Sequence, residues 1–216
     1  LALTFGSTSR ASTTVLATYM GGMAAGAWLG GRLARSRFRP LHVYAFCEGG
    51  VAVWCALSPF MLGLVQRLYV ALATGQDASA PWISALQVAL GALVLLPPTL
   101  LMGITLPVVA KQFEKRMALG RAIGLLYGAN TLGAALASFS TGYLLLPSLG
   151  IRKTTWLAVV ANFTAVTLAL FIDKRAQAEA LAEEKQAAPL RPQVQLPRFE
   201  PHVAALVLFV GGLVTI

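Results

Sequence analysis

Apolar residues in this chain run in long blocks rather than in alternation, and polar residues gather in short stretches between them. The blocks lie at about 13–31, 41–64, 82–110, 122–146 and 154–172. A helix needs ~20 apolar residues to cross a hydrocarbon core about 30 Å thick, and each block approaches or exceeds that length. Barrel strands would show short alternating segments instead. The pattern therefore predicts an all-α, polytopic transmembrane bundle with five full spans. Residues 1–5 (LALTF) read as the tail of a truncated further helix, before the polar turn GSTSRAST. The block 154–172 gives way to a charged and Pro-rich linker at 173–201, and an apolar stretch at 202–216 opens another span. The first half of that linker (KRAQAEALAEEKQ) suits a short helix extending the fifth span. Its second half is too rich in proline for a continuous helix. Because both ends fall inside apolar stretches and the chain opens at Leu1, the sequence is expected to be a piece of a longer protein.

Composition agrees with the pattern. Hydrophobic residues make up 57% and charged residues only 12%, with a mean hydropathy of +0.71. A soluble domain would carry roughly twice that charged fraction. The net charge of +9 does not call for nucleic acid, because its distribution follows membrane topology. The segments 32–40, 111–121 and 173–201 hold thirteen Lys and Arg, against four (Arg10, Arg67, Arg152 and Lys153) on the other side. The positive-inside rule then puts those three segments in the cytoplasm, and the chain in a bacterial inner membrane as a multi-pass protein. Cys47 and Cys55 lie eight apart in one apolar block, a spacing that suits neither a zinc site nor a disulfide framework.

Few residues could carry chemistry. Glu48 is the one acid inside a span, about two turns from the basic end of its helix. A carboxylate there costs several kcal/mol unless it is protonated, paired or wetted. It is either a cation or proton site, or a structural pair with Arg32, Arg35 or Arg121; its modest depth favours the pair. Asn130 and Thr131 are the most polar pair of the fourth span, and Tyr127 shares their side. In LLPPTLLMGITLP, the prolines Pro97, Pro98 and Pro107 remove backbone donors and kink the third helix, and Thr99 and Thr105 are the expected partners for the freed carbonyls. A broken helix at that depth suits a substrate site as well as plain architecture. Gly22, Gly26 and Gly30 form a smooth helix face, repeated at Gly120, Gly124 and Gly128. Tight helix packing explains both rows, and sliding helices would need the same surface. No Walker loop, HExxH, metal-spaced histidine cluster, GxSxG elbow or nucleotide-binding glycine turn is present in the sequence. No catalytic residue, metal ligand or cofactor is expected. His42 and His202 fall at membrane edges and are not expected to be ligands.

Three stretches, TVLATYMGGMAAGAWLGGRLARSRFRPLHVYAFCEGG, LLPPTLLMGITLPVVAK and GRAIGLLYGANTLGAALASFSTGYLLLPSLGIR, resemble the membrane block of the fused major-facilitator/spermidine synthases. The resemblance covers about 4–172, and PPTLLMG-TLP followed by LYGANTLGA and GYLLLPSLGIR carries most of its specificity. The first stretch is also similar to the major-facilitator loop between spans two and three. That loop usually carries an acid, where this chain offers Arg35. The resemblance implies one more span before the polar turn, so that 1–172 would form a six-helix block and 202–216 would open the next. It also implies a parent with an aminopropyltransferase-like domain further on, which in spermidine synthases moves an aminopropyl group from decarboxylated S-adenosylmethionine to putrescine. None of that domain's motif residues lie here.

Three functions follow as expectations. The chain could be the membrane anchor or partner domain of a polyamine-synthase-like enzyme, with a role in moving polyamines or related cations. It could be a major-facilitator-type transporter of a small solute, with Glu48 holding a cation or proton. It could be a structural scaffold. The partners implied are the lipid bilayer, the remaining helices and soluble domain of the parent, and a polyamine.

Overall fold

A computed structural model describes residues 9–75, 81–113 and 119–186. The expected helix tail at 1–5, the Pro-rich half of the linker from 187 on and the span at 202–216 lie outside these residues. Among the described residues every regular element is helical: α1 (Ser9–Ala34), α2 (Pro40–Ala73), α3 (Pro81–Phe113), α4 (Leu119–Ser140) and α5 (Leu146–Gln186), with a π-helical turn at Thr141–Leu145 joining the last two. Prolines open α2 and α3, at positions whose N–H has no intrahelical acceptor in any case.

Among the described residues three stretches are long and apolar enough to cross a membrane: Pro40–Ala73, Trp82–Gln112 and Gly120–Ala178. The 13–31 block, expected as a span, is helical within α1 but falls short of that apolarity, because glycine and hydroxyl side chains dilute it. Helix α2 outlasts the expected span by more than two turns. Its extension packs Val65 and Tyr69 against Leu86, Leu90 and Val94 of α3, and the Gln87 amide donates to the Tyr69 hydroxyl at 3.0 Å. It stops where Gly75 takes φ 79, a left-handed cap that glycine adopts without a Cβ clash.

The last apolar stretch holds 59 residues. A straight helix of that length would reach about 88 Å, twice the thickness of a bilayer with its headgroups. One residue resolves the excess. Gly150 has φ 72 and ψ 170, outside the helical region and open in practice only to glycine. After it α5 runs back, so that Ala122 and Leu126 of α4 share one core cluster with Ala169 and Ala176 of α5. The sequence suggests a seven-residue turn here (PSLGIRK); the reversal uses a single left-handed glycine within otherwise helical backbone.

Helix α1 lies lengthwise and parallel on α3. Gly26 approaches Gly103 so closely that a Cβ on Gly26 would stand 2.8 Å from the Gly103 Cα, and one on Gly30 would stand 2.7 Å from the Ile104 carbonyl oxygen. Gly22 meets Thr99 in the same way. The row thus places backbone against backbone, the geometry that small residues allow. Helix α5 is antiparallel to α2: His42 lies beside Asp173, and Gly49 sits opposite Val166. Buried Ala165, Ala169, Asp173 and Ala176 form the α5 face of this seam. The C-terminal ends of α1 and α3, the start of α2 and residue 173 of α5 therefore meet at one end of the bundle, which gathers Arg39, Lys111 and Asp173.

Candidate functional site

The buried carboxylate of Glu48 is the centre of the candidate site. It sits two turns into α2 with 8% of its surface exposed. Its neighbours explain the burial. Cys47 packs with Ile104 and Val108 of α3, a Cβ at Gly49 would lie 3.9 Å from the Val166 side chain of α5, and Gly50 abuts Leu101. Glu48 hydrogen-bonds to the phenol of Tyr44, one turn earlier on the same helix. Tyr44 is itself fully enclosed by residues of α3, α4 and α5.

A pair between Glu48 and Arg32, Arg35 or Arg121 is not formed among the described residues. The Arg32 guanidinium lies over the Trp28 ring at 3.7 Å, and Arg35 and Arg121 are exposed. The physical reason is axial distance: Glu48 stands eight residues, about 12 Å, inside the start of α2. The acid that does meet basic side chains at the rim is Asp173. Its Oδ1 accepts from Arg39 at 3.0 Å, its Oδ2 lies 3.3 Å from His42 Nδ1, and Gln177 donates to Oδ2 at 2.9 Å. Asp173 was legible only as the first residue of a linker, yet it continues the buried α5 stripe in the helical period of Ala165 and Ala169.

The other expected polar residues do not join Glu48. Thr105 is buried on α3, and its hydroxyl donates to the Met102 carbonyl at 2.7 Å. Tyr127 is 60% exposed, Thr131 is exposed and Asn130 is half-buried, all on α4. Gly124 and Gly128, the second small-residue row, have open space where a Cβ would stand.

Helix α3 continues through Pro97, Pro98 and Pro107 without a break. Pro98 cannot donate to the Val94 carbonyl, and the indole of Trp54 on α2 does so instead, at 2.9 Å. Thr99 was expected in this role; its hydroxyl bonds Leu95 and Leu96 at 2.8 and 3.1 Å. Proline positions reveal which carbonyl is orphaned, but not which neighbouring helix carries the donor. Asn162 is a further buried polar residue that carries no motif in the sequence. It is 1% exposed on the α5 stripe, and neither its Nδ2 nor its Oδ1 has a hydrogen-bond partner among the described residues.

The site is thus a buried carboxylate bonded to a phenol, with no basic side chain of the described residues against it. No group of three or more His, Cys, Asp or Glu residues capable of holding a metal occurs among the described residues. No family model matches the chain, and neither a curated protein nor a solved structure matches it.

Proposed function

We propose that this chain is the membrane-embedded region of a larger inner-membrane protein of the fused major-facilitator/spermidine synthase type. It anchors a polyamine-synthase-like domain and offers polyamines or related cations a carboxylate, Glu48, within the bundle. The observation that carries this reading is the burial of Glu48 between α2, α3 and α5, bonded to Tyr44 and paired with no basic side chain of the described residues. A buried acid costs several kcal/mol in hydrocarbon, and intramembrane acids mark ion and proton paths by default. The sequence motifs PPTLLMG-TLP and LYGANTLGA supply the family part of the proposal, and the thirteen-to-four charge distribution supplies the orientation, with the basic end in the cytoplasm.

The test is polyamine uptake into vesicles holding the intact parent, with Glu48→Gln beside the native protein. Glu48→Gln is expected to leave protein yield intact and to lower flux by on the order of tenfold or more, as for a lost charged contact. Unchanged flux with reduced yield would assign Glu48 a packing role and remove the transport half of the proposal.

A further inference from the structure

The end of α1 carries three guanidinium groups that no carboxylate of the described residues neutralises. Asp173 is occupied by Arg39 and His42, and Lys111 of α3 donates to the Ser36 carbonyl at 3.2 Å. Arg32, Arg35 and Arg37 remain exposed within six residues of one another. The loop that presents them has a defined shape. The Arg35 N–H donates to the Arg32 carbonyl at 3.1 Å, and Ser36 bonds the Leu33 carbonyl through its N–H at 3.0 Å and its hydroxyl at 2.6 Å. Lys111 ties this loop to α3, and Arg39 ties it to α5.

Beside the cations lie two large exposed aromatics. Trp28 is 59% exposed and Phe38 65% exposed. Trp28 is two residues from both Gly26 and Gly30, so it occupies the side of α1 opposite the face packed on α3. Helix α1 lies along α3, which is long and apolar enough to cross a membrane, so a bilayer around α3 would meet this outer side near its polar boundary. Guanidinium groups match phosphate oxygens in a forked geometry, and Trp is favoured where apolar chains meet headgroups.

We propose that this corner is a binding site for the headgroup of an anionic phospholipid. Arg32, Arg35 and Arg37 take the phosphate, and Trp28 and Phe38 lie against the lipid below it. A soluble phosphate would make no use of the aromatic pair. The Arg32 guanidinium, 3.7 Å over the Trp28 ring, joins the two parts of the site.

The experiment is native mass spectrometry of the chain released from mixed phosphatidylcholine and phosphatidylglycerol bilayers. Retention of phosphatidylglycerol is expected to exceed that of phosphatidylcholine by on the order of a hundredfold, the combined attraction of three basic residues near an anionic surface. The Arg32→Gln, Arg35→Gln and Arg37→Gln triple variant should retain the two lipids about equally. A control with the same loss of charge at the other end, Arg67→Gln, Arg152→Gln and Lys153→Gln, should keep the native preference. Salt at about 0.5 M during release should weaken it. A preference that survives the triple substitution, falls as far in the control, or ignores salt would overturn the proposal.

Discussion

Trp54 Nε1 donates a 2.9 Å hydrogen bond to the Val94 carbonyl oxygen, the acceptor that Pro98 leaves without its own helical donor. The α2–α3 interface thus completes a backbone defect of α3 with a side chain of α2. Trp54→Phe should lower stability by about 1–2 kcal/mol, within the range for interhelical bonds and orphaned acceptors. Pro98→Ala returns an N–H to the ladder, so the same Trp54→Phe change should cost less in that background. A double-mutant cycle read by unfolding in detergent checks the coupling, and strict additivity would show that the indole bond is independent of the proline.

The two glycine rows should respond in opposite directions. At Gly26 a methyl group meets the Leu100 carbonyl and the Gly103 Cα, both backbone, and neither can rotate away. Gly26→Ala should therefore force α1 off α3 and cost about 1–3 kcal/mol. At Gly124 nothing stands within 4 Å of the added Cβ. Gly124→Ala should be neutral or stabilising by up to ~1 kcal/mol through helix propensity. Melting temperatures of the two variants in one detergent decide the matter, and equal losses would contradict the packing described.

The ion cluster at the basic end should also be asymmetric. Asp173 has an 8% exposed side chain, whereas Arg39 is 47% exposed. Removing the acid leaves a guanidinium that water can solvate; removing the guanidinium leaves a buried carboxylate with weaker support. Arg39→Gln is expected to destabilise more than Asp173→Asn, with each effect near 1–2 kcal/mol once the exposure of Arg39 is discounted. Comparing denaturation midpoints tests the order, and its reversal would mean that His42 and Gln177 suffice for Asp173.

Most of the helices were legible because apolar block length alone marks them. Their bounds moved where tertiary contact extended a helix beyond its apolar block, as Tyr69 and Gln87 do for α2. The burial of Glu48 followed from its position in an apolar run, but its partner did not. Charge counting points to the nearest arginines, whereas helical geometry supplies Tyr44 one turn away. Gly26 and Gly124 carry the same sequence signal, and only the position of a neighbouring backbone separates them. Asp173 and Asn162 share the period of the buried alanines on α5, a pattern hidden by the boundary between apolar span and charged linker.

The reversal at Gly150 leaves no slack between α4 and α5. Where two helices are joined by a loop, several residues share any change in the angle between them. Here the backbone is helical on both sides, so such a change falls on the two dihedral angles of one glycine and on the π-helical turn at Thr141–Leu145. That joint sets the direction in which α5 leaves α4. Tyr127, Asn130 and Thr131 on α4 are thus tied along the chain to the Asp173 cluster on α5 through a single non-helical residue.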